Sequence, residues 1–192
     1  RQRQMCIRDS PQSMRNLYLN SSYGQTTFRA DTNGDGQPDV VGPYNLNVSR
    51  VGCNWTEWSN AANSAAEAEG VNLSLYQHKI YVLPDYNQLP DCGWAGLAYI
   101  GGDRSYIAEP QSMMVYAHEL GHNLSMAHAG TDPENDGIMN AEYGDSSDPM
   151  GSSRAVHNFN GAHIDQKSWF TAFANAVQSV TTSGSYQIAP IG

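Results

Sequence analysis

Three imidazoles and a carboxylate fall within one short stretch, His118-Glu119-Leu120-Gly121-His122-Asn123-Leu124-Ser125-Met126-Ala127-His128. On a helix, four residues turn through about 400°, so His118 and His122 project from one face within reach of one metal ion. Met113, Ala117, Leu120 and Leu124 fall on the opposite side of the same wheel. The helix should therefore bury an apolar back and leave its polar front exposed. Glu119 stands one step round, beside a metal rather than on it. His128 lies beyond the helical face, so the chain must turn after about Leu124 to bring it back. Three nitrogen ligands leave one tetrahedral position for water, the arrangement of a catalytic rather than a structural zinc site. Zinc lowers the pKa of bound water to about 7, and Glu119 is placed to take that proton as general base. The bland alternative is a set of surface histidines on an ordinary helix.

From these residues onward the chain resembles the metzincin metallopeptidases, whose motif HExxHxxGxxH is followed by a turn containing methionine. The corresponding turn is Ser147-Asp148-Pro149-Met150-Gly151. The resemblance implies that Met150 forms an apolar floor beneath the metal and is not a ligand. A closer similarity is to the gametolysin family of secreted and cell-wall peptidases. It is carried by Ser22-Tyr23-Gly24-Gln25, Cys92-Gly93-Trp94-Ala95-Gly96 and Phe159-Asn160-Gly161-Ala162-His163 as well as by the zinc motif. The family's glycine at the turn is Ser125 here, and a non-glycine in a left-handed conformation costs on the order of 1 kcal/mol. A tyrosine that some metzincins carry two residues after the turn methionine is replaced by Ser152. The resemblance also implies that an edge strand containing Ala95, Gly96, Leu97 and Ala98 pairs with an extended substrate. Glycines that simply permit a bend in the sheet are the competing reading.

Other donors are open. Glu142 could be the third ligand, as in thermolysin-like enzymes, although Gly137 and Gly144 argue against a helix there. His78, His157 and His163 read as surface or hydrogen-bonded histidines. Asp31, Asn33, Asp35, Gln37 and Asp39 lie in an acidic loop whose oxygen donors alternate around Gly36, a pattern suited to calcium. Gly42 stands where an EF-hand has its bidentate glutamate, so the alternatives are a compact calcium loop of another type and a metal-free turn. Cys53 and Cys92 form an even pair that could be one disulfide or two buried thiols.

The chain of 192 residues is long enough for one domain with a core. A net charge of -9 argues against nucleic acid as a partner, and no apolar run approaches the length of a membrane span. Residues 1–10 read as a non-native N-terminal artefact, 11–180 as a metzincin-like catalytic domain, and 181–192 as the start of a truncated β region. The start at Arg1 without a signal sequence reads as a fragment of a precursor.

Strand-like alternation covers Gln25–Ala30 and Pro43–Val48, then a helix capped by Thr56 runs to a stop at Gly70. Strands follow at Lys79–Leu83, Leu97–Ile100 and Ser105–Ala108 before the histidine helix; Gly161–Phe170 reads as helix and Thr181–Ile191 as strand. The fold class is α+β: a twisted mixed sheet packed on helices, one carrying HExxH, with a methionine turn. The expected function is a secreted or cell-wall zinc endopeptidase, acting on protein substrates by a zinc-bound water with Glu119 as base and calcium as a further cofactor. The rival readings are a calcium-dependent structural or adhesive module with an inactive zinc site, and an amidase of non-protein substrates.

Overall fold

The computed structural model describes residues 13–29, 31–36, 39–153, 155 and 157–187. It divides into two units, Arg1–Met14 with Arg29–Ala127, and Arg15–Phe28 with His128–Gly192. Helix α1, Met14–Ser21, opens the described chain.

The first unit contains helix α2 (Trp55–Ala68), strands β1 (Lys79–Val82), β2 (Gly96–Ala98) and β3 (Arg104–Ile107), and helix α3 (Met113–Asn123). The three strands form a mixed sheet ordered β1-β3-β2. β1 runs parallel to β3 with Ile80 opposite Ser105, and β2 runs antiparallel to it with Leu97 opposite Tyr106. Fold class is thus α+β as expected, with β2 at an edge of this sheet.

Asn54, not Thr56, caps α2: its side chain accepts from the Glu57 amide and donates to the Glu57 carboxylate at 3.0 Å. That is a reciprocal capping arrangement two residues earlier than expected. At the other end Gly70 takes a φ of +87° and donates to the Glu67 carbonyl, which stops the helix. α2 is seamed to the sheet by polar contacts. Ser59 meets the Tyr106 hydroxyl at 3.2 Å, the Arg104 guanidinium donates to Ser59 and Asn60, and the Tyr81 hydroxyl donates to Asn63. Tyr81 and Tyr106 stack with ring centroids 5.3 Å apart.

Trp58 belongs to a different cluster, with Cys53, Leu89, Cys92 and Ala108, and its indole donates to the Ser49 carbonyl. Cys53 and Cys92 are joined there as a disulfide across a sequence separation of 39. Closing a loop of that length removes enough chain entropy from the unfolded state to stabilise the fold by about 4 kcal/mol. The double substitution Cys53→Ser/Cys92→Ser is therefore expected to lower unfolding free energy by roughly that amount in urea titration. A change under about 1 kcal/mol would mean that the bond constrains little.

The second unit is organised around aromatic rings. Tyr18 of α1 meets Phe28 edge-on at 5.0 Å and also contacts Phe159 and Trp169. Such pairs add about 0.5–1.5 kcal/mol each beyond their buried area. Helix α4, Gly161–Gln166, is capped by Asn160, and a 3-10 turn follows at Trp169–Ala172.

Several sequence expectations fail in instructive ways. Neither Gln25–Arg29 nor Pro43–Val48 enters a ladder, while Ala30 lies outside the described residues. The Thr26 amide is taken by the Ser22 hydroxyl and its own hydroxyl by the Trp169 indole, so side chains supply what a neighbouring strand would. The second segment alternates because Val48 packs on the disulfide cluster. The helix expected over 161–170 ends at Gln166, interrupted by Ser168 with a φ of +58°. Residues 181–187 form no strand, and 188–191 lie outside the described residues.

Candidate metal centre

α3 is held on the sheet by its last residue. The buried Asn123 amide donates to the Arg104 and Tyr99 carbonyls and accepts from the Ser105 hydroxyl at 2.8 Å. Tyr116, Ala117 and Leu120 form the apolar back, each at most 1% exposed. The front departs from the expected exposed face: Glu119 and His122 are each only 6% exposed. The edge strand covers it. A Cβ on Gly96 would run into the Glu119 carboxylate and come within 2.6 Å of Glu119 Cγ and of Val115 Cγ1. Glycine is what allows β2 to lie over the catalytic candidate.

His118 and His122 bring their Nε2 atoms to 3.1 Å, with the rings edge to face. Two nitrogens bound at about 2.0–2.1 Å to one tetrahedral ion stand about 3.3 Å apart, so the pair fits a shared zinc. His122 Nδ1 faces the Met126 carbonyl at 2.9 Å. A carbonyl only accepts, so this contact puts the proton on Nδ1 and leaves the Nε2 lone pair for a ligand bond. The turn that supplies this carbonyl is made at Ser125, whose φ is +70°. Serine thus adopts the left-handed conformation that the turn requires, and Met126 follows with its amide on the Gly121 carbonyl.

With no partner charge nearby, burial pushes the Glu119 carboxyl from the ordinary 4.5 to about 8. Without a metal it is a neutral acid at pH 7, whereas a dication beside it would favour the carboxylate.

In the second unit, His128 Nδ1 meets Glu142 Oε1 at 2.7 Å and its ring packs on Tyr143. Among the described residues His118, His122 and His128 are the donor set that could hold a metal ion. Met150 is fully buried, and its amide is fixed by Asp148, whose other oxygen accepts from the Asn160 amide and faces His163 Nδ1 at 3.0 Å. His163, read from sequence as a surface or hydrogen-bonded histidine, is buried and hydrogen-bonded to Asp148.

The acidic loop closes on itself. Asp31 accepts from the Gly34 and Gly36 amides, Asn33 accepts from the Asp35 amide, and Asp39 accepts from the Tyr76 hydroxyl. Desolvation and the Asp39 carboxylate push that phenol up to about 12. Gln37 lies outside the described residues.

Sequence reasoning missed the Met126 carbonyl, Asn123, Asp148 and the covering role of Gly96. Only Asp148 had a visible signal, an acidic residue two before a buried methionine in a Pro-Met-Gly turn.

A zinc-fitting pair of histidines lies beside a buried carboxyl, the donors and base that metal-dependent hydrolysis would use. The family model for gametolysin peptidase M11 matches residues 4–188, and the chain belongs to that family of metallopeptidases. No curated protein and no solved structure matches it. Among the described residues no helix is long and apolar enough to cross a membrane.

Proposed function

We propose that this chain is a secreted, metzincin-type zinc endopeptidase in which His118, His122 and His128 are the ligands and Glu119 is the general base. The observation that carries it is the convergence of His118 and His122 at 3.1 Å next to a carboxyl that β2 shields from water. When bound, zinc supplies a Lewis acid that acidifies water and polarises the scissile carbonyl. Glu119 takes the proton of the attacking water and returns it to the leaving amide nitrogen. Its burial keeps it from bulk solvent, and a dication beside it would hold it as the carboxylate that can accept the proton. β2, as an edge strand, offers Gly96–Ala98 to an extended peptide, which orients the bond to be cut. Met150 is the apolar floor that the motif implies. The disulfide supports an oxidising, extracellular location. A calcium-dependent adhesive module is disfavoured because a purely structural zinc site has no use for a buried base.

The test is cleavage of a denatured protein by the disulfide-bonded chain loaded with zinc. Hydrolysis should cease with 1,10-phenanthroline and return with added zinc. A folded, zinc-loaded protein that cuts nothing would sink the reading.

A further inference from the structure

We infer that Glu142 is a positioning residue for His128, taking its Nδ1 proton so that the ring presents Nε2 to a metal ion. The inference rests on the zinc-peptidase reading above and concerns a residue whose sequence-level alternative was to be the ligand itself. The contact of 2.7 Å between Glu142 Oε1 and His128 Nδ1 is the length of a charge-assisted hydrogen bond. A carboxylate only accepts, so the proton stands on Nδ1 and the lone pair of the neutral ring on Nε2. The Tyr143 ring, its centroid 4.0 Å from that of His128, sets the plane of the imidazole.

The backbone delivers Glu142 to this place. Thr131 and Ala141 exchange both amide bonds, at 2.9 and 3.1 Å, and the Asp145 amide continues the pairing to the Ala129 carbonyl. A Cβ on Gly144 would collide with the Thr131 side chain, coming within 2.9 Å of its Cβ, so the glycine permits the close approach. The intervening loop is closed by Asp132, which accepts from the Asp136 and Gly137 amides. A hydrogen bond to a carboxylate side chain that is 66% exposed adds little stability. What it does change is the donor strength and tautomer of a ligating histidine. His122 shows the same device with a different acceptor, Nδ1 on the Met126 carbonyl.

The experiment compares wild type, Glu142→Ala, Glu142→Gln and His128→Ala by zinc competition against a chromophoric chelator, and by ring ¹⁵N shifts of His128 in the metal-free protein at about pH 8.5, where an unperturbed imidazole is neutral. Expected for Glu142→Ala are a zinc Kd about 10–100-fold weaker and a mixture of tautomers. Glu142→Gln, whose amide oxygen still accepts from Nδ1, should recover most of both. Zinc binding by Glu142→Ala within about twofold of wild type, or a tautomer that does not change, would overturn the inference. So would a loss beyond about 1,000-fold in both Glu142 variants with His128→Ala unaffected, because Glu142 would then be the ligand. Failure of wild type to take up zinc would instead strike the peptidase reading, and the metal-free shifts would decide the role of Glu142 by themselves.

Discussion

Replacing Glu119 with Gln is expected to lower kcat/KM for peptide hydrolysis by about 10²–10⁴-fold while leaving the bound zinc unchanged. Glutamine keeps the shape that fits beneath Gly96, so the helix and the two histidines stay in place, but an amide cannot take a proton from water. The same substitution has a second expected effect with a sign that burial dictates. In the metal-free protein the folded-state pKa of Glu119 is raised to about 8, so the folded state holds the proton more tightly than the unfolded chain. The stability from this group is fully present below the ordinary 4.5 and is lost as pH rises toward 8. After zinc removal, wild type should therefore lose up to a few kcal/mol relative to Glu119→Gln between about pH 5 and 8, at roughly 1.4 kcal/mol for each pH unit. Urea titrations of both proteins across that range, with peptide kinetics on the zinc-loaded forms, test the pair of effects. A variant retaining more than about a tenth of wild-type activity would exclude Glu119 as the base.

The parts of the site that could be read from sequence are those set by local geometry. A spacing of four residues on a helix is enough to bring His118 and His122 together, and the break after Leu124 follows from the need to turn, here at Ser125. β1, β2 and β3 were legible from short apolar runs bounded by Pro84 and by glycines. The burial of Glu119 was not, because the strand that covers it comes from Gly96, distant in sequence, and one helical wheel cannot show what lies over its polar side. Helix α1 has a readable signal in Met14, Leu17 and Tyr18 at helical spacing, each at most 2% exposed. The segments around residues 25 and 45 failed for the opposite reason: alternation records which side is apolar, not whether another strand lies alongside.

Asp148 is expected to be the most destabilising single position in the second unit, with Asp148→Ala lowering unfolding free energy by about 3–5 kcal/mol. Its carboxylate is fully buried and carries three obligations: the Met150 amide at 2.7 Å, the Asn160 amide at 2.7 Å and His163 Nδ1 at 3.0 Å. Alanine would leave the buried Met150 amide, the partly buried Asn160 amide and a buried imidazole without this acceptor. Each bond also ties a different piece of chain. The first fixes Met150, whose carbonyl accepts from the Ala129 amide next to His128; the second fixes the residue that caps α4; the third fixes α4 itself. Asp145 reinforces the arrangement. Burial works against its charge, yet bonds from Ser147 and from the Asn160 side chain hold its carboxyl below the ordinary range. Asp148→Asn keeps one accepting oxygen and should lose less, about 1.5–3 kcal/mol, with the His163 contact suffering most. Combining Asp148→Ala with His163→Ala should show a coupling of about 0.5–3 kcal/mol, since removing the imidazole removes one of the stranded groups. Additive losses would show that the two side chains act independently and that the turn is held by the amide bonds alone. If Met150 is the floor of the metal site, the folded fraction of Asp148→Ala should also bind zinc more weakly. That outcome would link the stability of the turn to the chemistry it supports.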